Sequence, residues 1–81
     1  MKAHVYVTLK RTVLDAQGKT VAEALGRMSY RGVADVRQGK YFVLTLTDDL
    51  DQGAAEAEID RIAREVLVNP VIEEYSYRLE A

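Results

Sequence analysis

The sequence contains no cysteine. That absence removes a disulfide framework, a zinc knuckle, thiol catalysis and a CxxC metal-transfer loop. A single histidine, His4, rules out a multi-histidine metal site. One proline and five glycines in 81 residues, with 48% of positions hydrophobic, are globular rather than disordered composition. No apolar stretch approaches the roughly 18 residues of a membrane span, and the N-terminus enters a strand-like pattern at once, with none of the features of a signal peptide. Lys and Arg number 11 against 13 Asp and Glu, a net charge of −2 with no basic run. A nucleic-acid interface normally concentrates Lys and Arg. The composition implies one small soluble domain over residues 1–81, cytoplasmic, without membrane or nucleic acid among its partners.

A core of this size is seldom stable alone, and disulfides, metals or oligomerisation usually help. With disulfides excluded and a metal site unsupported, self-association is the remaining aid, so a second apolar surface is expected.

Ala3 to Leu9 alternates, with Val5, Val7 and Leu9 on one side and His4, Tyr6 and Thr8 on the other, the pattern of a half-buried strand. Val21, Ala24, Leu25 and Met28 then form a helical stripe. Either Asp15 or a Thr20–Glu23 capping box begins that helix, and Gly32 suits its stop. Val33 to Arg37 reads as a short strand and Gln38-Gly39-Lys40 as a tight turn. Tyr41 to Thr47 reads as a third strand, with Phe42, Leu44 and Leu46 on one side. Asp48-Asp49-Leu50-Asp51 is rich in helix-capping carboxylates. A second helix carries Ala55, Ile59, Ile62, Ala63 and Val66 on one stripe, with Asp60 and Arg64 paired outside. Asn69-Pro70 stops it, and Val71 to Leu79 is a final strand.

The order β-α-β-β-α-β implies an α+β two-layer sandwich of ferredoxin-like order. Two helices lie on one face of a four-stranded, mostly antiparallel sheet. The opposite face then presents His4, Tyr6, Thr8, Tyr41, Val43 and Thr45, joined in this reading by Tyr75 and Tyr77. Tyrosine couples large contact area to a polar tip, so this face is expected to pair with a second copy.

No catalytic constellation converges in the sequence. His4, near the terminus of a strand, reads as a surface or interface residue, and Ser29 and Ser76 lack the glycines of a nucleophile elbow. Asp48, Asp49 and Asp51 lack the glycine and distal glutamate of a calcium loop. Gly39 has no phosphate-loop spacing around it, and Gly39-Lys40-Tyr41-Phe42-Val43 matches the RNA-recognition signature only in part.

Four ordered segments span nearly the whole chain: Val5 to Lys10, Val13 to Gly18, Gly32 to Lys40 and Asn69 to Tyr75. Together they resemble PurS, the small-subunit family of the multi-subunit phosphoribosylformylglycinamidine (FGAM) synthase of purine biosynthesis. Ala16 stands where the family usually has proline, and Ser29 where a glycine usually precedes the aromatic. The resemblance implies a non-catalytic subunit with no cofactor of its own. It bridges a PurL-type synthetase, which takes ATP and magnesium, and a PurQ-type glutaminase, and supports ammonia transfer for the conversion of formylglycinamide ribonucleotide to FGAM. It also implies a homodimer, leaving open whether dimers pair further. Loops on a rigid scaffold commonly carry recognition, which makes Lys10, Arg11, Asp15, Gln17, Gly18, Arg37, Lys40 and Asn69 the candidates for partner contact. Two other readings share the topology. One is a dimeric small-molecule-binding regulatory module. The other is an acylphosphatase-like enzyme, for which Arg11 and Asn69 are present but a glycine-rich anion cradle is not.

Overall fold

A computed structural model describes residues 1–81. Strand β1 (Lys2–Leu9) is followed by helix α1 (Ala16–Arg27), strand β2 (Gly39–Thr45), helix α2 (Gln52–Ile62) with a π-helical turn over Ala63–Leu67, and strand β3 (Glu73–Glu80). The sheet is antiparallel with β1 in the centre, in the order β2-β1-β3. Alternation along β1 sends Ala3, Val5 and Val7 inward, where they are fully buried with Ile59 of α2 and Ala63 of the π turn. Phe42 and Leu44 of β2 sit opposite Val5 and Ala3 and pack on the same core.

The chain is α+β, but its sheet has three strands rather than the expected four. The segment from Val33 to Arg37 forms no ladder. The expected turn at Gln38-Gly39-Lys40 is also absent: Gly39 and Lys40 already pair with Thr8 and Val7. The cause lies at the start of α1. The Asp15 carboxylate takes the Gln38 N–H at 2.6 Å, and the Arg37 guanidinium donates to the carbonyls of Leu9, Lys10 and Val13. A Cβ on Gly18 would lie 2.3 Å from the Val36 carbonyl. The segment is therefore clamped to the α1 N-terminus and cannot fold back on β2.

Only α2 covers the sheet. α1 packs along no strand, and Val21 and Met28 of its apolar stripe remain 40% and 66% exposed. The chain has a radius of gyration of 16.1 Å, against about 12 Å for a compact domain of this length. A single copy is open.

Helix ends follow local chemistry. Asp15, not a Thr20–Glu23 box, caps α1 by accepting from the Gly18 N–H at 2.9 Å, and Thr20 donates to the Ala16 carbonyl instead. Asp51 caps α2 through the Ala54 N–H at 2.8 Å. Termination of α1 falls on Ser29, at φ 69°, while Gly32 has no left-handed conformation. A left-handed residue lets the chain leave the helix while its last carbonyls stay bonded, as in Tyr30 N–H to Leu25 O at 3.0 Å. A Cβ disfavours that conformation, so Ser29→Gly is expected to stabilise by about 0.5–1 kcal/mol, read from urea denaturation. The α2 stripe also departs from simple periodicity. The π turn inserts an extra residue, turning Val66 out to 74% exposure and bringing Leu67 and Val68 to the core.

Candidate functional site

Two regions gather the residues that the sequence singles out. The first is the sheet face opposite α2. Tyr6 lies opposite Tyr41, and His4 opposite Val43 on one side and Arg78 on the other. The rings of Tyr6 and Tyr41 stack at a centroid distance of 5.1 Å, and those of His4 and Tyr41 at 5.8 Å. His4 is 7% exposed. Its Nε2 donates to Glu80 Oε2 at 3.2 Å, since a carboxylate can only accept, and its Nδ1 is hydrogen-bonded to the Tyr41 hydroxyl. Arg78 lies 3.5 Å from Glu80 and donates from Nε to the Tyr6 hydroxyl at 3.3 Å. Tyr6, Tyr41, His4, Glu80 and Arg78 thus close a ring across all three strands. Tyr41 within the ring and Val43 beside it are 54% and 51% exposed.

Tyr75 and Tyr77 do not belong to this face. They lie opposite Val7 and Val5 and pack on the core, and the Tyr75 hydroxyl donates to Asp60 Oδ1 of α2 at 2.6 Å, which pushes its pKa up. The residues of β3 on the outer face are instead Glu74, Ser76, Arg78 and Glu80, opposite Thr8, Tyr6, His4 and Lys2. The legible signal was binary: Tyr75, Tyr77 and Leu79 alternate with polar residues, and the apolar set belongs on the core.

The second region is the end of the sheet where β1 finishes and β2 and β3 begin. Lys10 Nζ donates to the Pro70 carbonyl at 2.8 Å. Lys40 pairs with Glu73 at 3.4 Å, and Glu73 accepts the Asn69 N–H at 2.8 Å. Asn69 Oδ1 accepts the Val71 N–H at 3.1 Å, fixing the turn into β3. Gln38 donates to Gln17, Asp15 caps α1, and Arg37 holds three carbonyls. Lys10, Asp15, Gln17, Gly18, Arg37, Lys40 and Asn69 therefore share one end of the molecule and hold its loops in place. Arg11 is exposed and, by contrast, its side chain makes no hydrogen bond or ion pair within the chain.

Backbone N–H groups of Gly18 and Gln38 hold the Asp15 carboxyl below its ordinary value of 3.8. The Asn69 N–H and Lys40 lower Glu73, and His4 and Arg78 lower Glu80, from an ordinary 4.5. A carboxyl lowered by folding stabilises the fold above its ordinary value and loses that contribution as pH falls through the lowered one. Stability is expected to hold above pH 4.5 and to fall progressively below it as Glu73, Glu80 and Asp15 are protonated. Urea melts across this range check the slope, and Asp15→Asn should flatten it.

Every buried side-chain polar atom has a partner, and no three His, Cys, Asp or Glu side chains converge to hold a metal. No helix is long and apolar enough to cross a membrane.

Residues 2–81 match the family model described as PurS: phosphoribosylformylglycinamidine (FGAM) synthase. The PurS subunit of this synthase from Mycobacterium leprae is 41% identical over 80 residues, covering 99% of this chain and 96% of that one. A structure of Bacillus subtilis PurS superposes with a TM-score of 0.82 at 43% identity, covering 99% of this chain and 98% of that one. A chain in a structure of PurLQS from Thermotoga maritima gives a TM-score of 0.82 at 31% identity, over 95% of this chain and 93% of that one. Similarity of this extent runs through the sheet, both helices and the loop knot alike, and the chain belongs to the PurS family of FGAM synthase.

Proposed function

We propose that this chain acts as a non-catalytic assembly subunit of FGAM synthase in purine biosynthesis. It works as one domain over residues 1–81, pairs with a second copy through the outer sheet face, and bridges a PurL-type synthetase and a PurQ-type glutaminase. ATP and magnesium belong to the large partner, and the complex works in the cytoplasm. Family membership supports the reading, as does the occurrence of a similar chain in the Thermotoga maritima PurLQS structure. The observation that carries the surface assignment is the ring of Tyr6, Tyr41, His4, Glu80 and Arg78. The polar groups of the ring are bonded to one another, with Tyr41 half exposed within it and Val43 exposed beside it. Polar groups already paired lose little when another surface displaces their water.

The chemistry explains why a subunit without a nucleophile is needed. Ammonia released by a glutaminase protonates in water, so it must reach the synthetase along a sealed path. A rigid sheet that holds two larger subunits in register supports that transfer without making bonds.

Capture of the partners tests the bridge. Tagged chain is expected to retain PurL-type and PurQ-type subunits together, and Arg11→Glu to weaken retention while leaving the melting temperature unchanged. Arg37→Glu is expected to lower the melting temperature, because three carbonyls lose their donor. Full retention by Arg11→Glu removes Arg11 from the contact, and failure of the native chain to retain either subunit contradicts the bridge.

A further inference from the structure

A cavity of about 370 Å³ opens between the end of β1 and the first turn of α1. Small-molecule sites have volumes of roughly 300–1,000 Å³. The strand register puts Lys40 opposite Val7 and Glu73 opposite Leu9, so both charged side chains reach the cavity from the strands that flank β1. Leu9 and Leu14 supply an apolar wall, and Leu14 is 72% exposed there.

The polar groups around the cavity are only partly engaged. The Gln38 amide donates to the Gln17 amide carbonyl. Such a bond occupies one donor and one acceptor, so one NH₂ group and one carbonyl stay free whichever way the pair is turned. The Lys40 ammonium has three N–H donors and meets Glu73 alone, at 3.4 Å. Glu73 takes the Asn69 N–H on Oε1 and faces Lys40 with Oε2. Its carboxyl lies below the ordinary 4.5 and is charged at neutral pH. Asp15 differs, because both of its oxygens are held by backbone N–H groups and it is buried. It shapes the wall and offers nothing to a guest.

The cavity thus presents two donors, Lys40 and Gln17, two acceptors, Glu73 and Gln38, and an apolar wall. We propose that it binds a free α-amino acid with an aliphatic side chain. The ligand carboxylate goes to Lys40 and the Gln17 amide, its ammonium to Glu73 Oε2 and the Gln38 carbonyl, and its side chain to Leu9 and Leu14. A lone anion or a lone cation would match only one of the two charges. Parting Lys40 from Glu73 costs little, since an ion pair with one exposed partner contributes little. Gln17 belongs to α1 and Lys40 to β2, so the ligand ties to the sheet a helix that otherwise packs along no strand. Every group lies within one chain, so the site stands independently of the bridging role.

The test uses the full chain in its native assembly with L-leucine as the probe, followed by titration calorimetry and melting temperature. 4-Methylpentanoate and 3-methylbutylamine, which are leucine without its ammonium and without its carboxylate, are the comparison. Leucine is expected to bind with a Kd of about 1 mM or tighter and to raise the melting temperature. Each stripped compound is expected to bind at least about tenfold more weakly, because one charge-assisted set of hydrogen bonds is lost. Lys40→Met is expected to weaken leucine binding by about tenfold or more, and Gln17→Ala by a smaller factor. Gln17 is exposed and outside the core, so its variant reports on the site even if Lys40→Met perturbs the fold. No binding of leucine at about 10 mM, equal binding of either stripped compound, or binding that neither substitution weakens overturns the assignment.

Discussion

Ile59→Ala is expected to remove about 3 kcal/mol of stability and to lower the melting temperature by roughly 12–24 °C. Ile59 is among the largest fully buried side chains, and α2 is the only helix that covers the sheet. Its neighbours in the core include Ala3, Val5 and Val7 of the central strand, and Ala63 one turn on. These side chains are small, and the central strand is bonded on both sides, so the site cannot collapse to fill the space. The loss is large because a chain of this length has only about 4–12 kcal/mol in all. Urea and thermal denaturation followed by circular dichroism measure it. A shift of only a few degrees would show that the sheet's cover comes from elsewhere.

If the outer face pairs two copies as proposed, Val43→Lys is expected to leave monomer at micromolar concentration, raising the dissociation constant by about a hundredfold or more. Val43 stands on the outer face opposite His4, 51% exposed and beside the ring of Tyr6, Tyr41, His4, Glu80 and Arg78. Glu80, the carboxylate of that ring, is already engaged by both His4 and Arg78 and offers a lysine no free partner. Burying an ammonium group without a partner costs several kcal/mol, while the exposed position keeps the effect on the isolated chain small. Light scattering over a concentration series reads the result. A variant that associates as the native chain does would remove this face from the contact.

The sequence made the two helices, the central strand and the inner side of β2 legible because each obeys a simple period. Val5, Val7, Phe42 and Leu44 lie where alternation places them. Three expectations fail. The Val33 to Arg37 strand fails because Asp15 and Arg37 bind that region to the start of α1, a long-range contact that leaves no local trace. Tyr75 and Tyr77 lie on the core side of β3, where their alternation with polar residues in step with Leu79 puts them; reading tyrosine as a surface residue overrode that period. Val66 turns outward through a π turn, which breaks the helical spacing that predicted it inside.

The loop knot has the same lesson for the site. Lys10, Arg37, Lys40 and Asn69 stand out as polar loop residues, yet each is bonded within the chain. Arg78 and Glu80, which complete the outer-face ring, escaped notice because their role depends on being opposite His4 and Lys2.

The central claim is that the chain assembles a reaction it does not perform. Glutamine-dependent formation of FGAM by PurL-type and PurQ-type subunits, assayed with and without this protein, tests it most directly. The account predicts that synthesis drops to background without the chain and returns when it is added back. Synthesis at the same rate without it, or turnover of the substrate by the purified chain alone, would contradict the account.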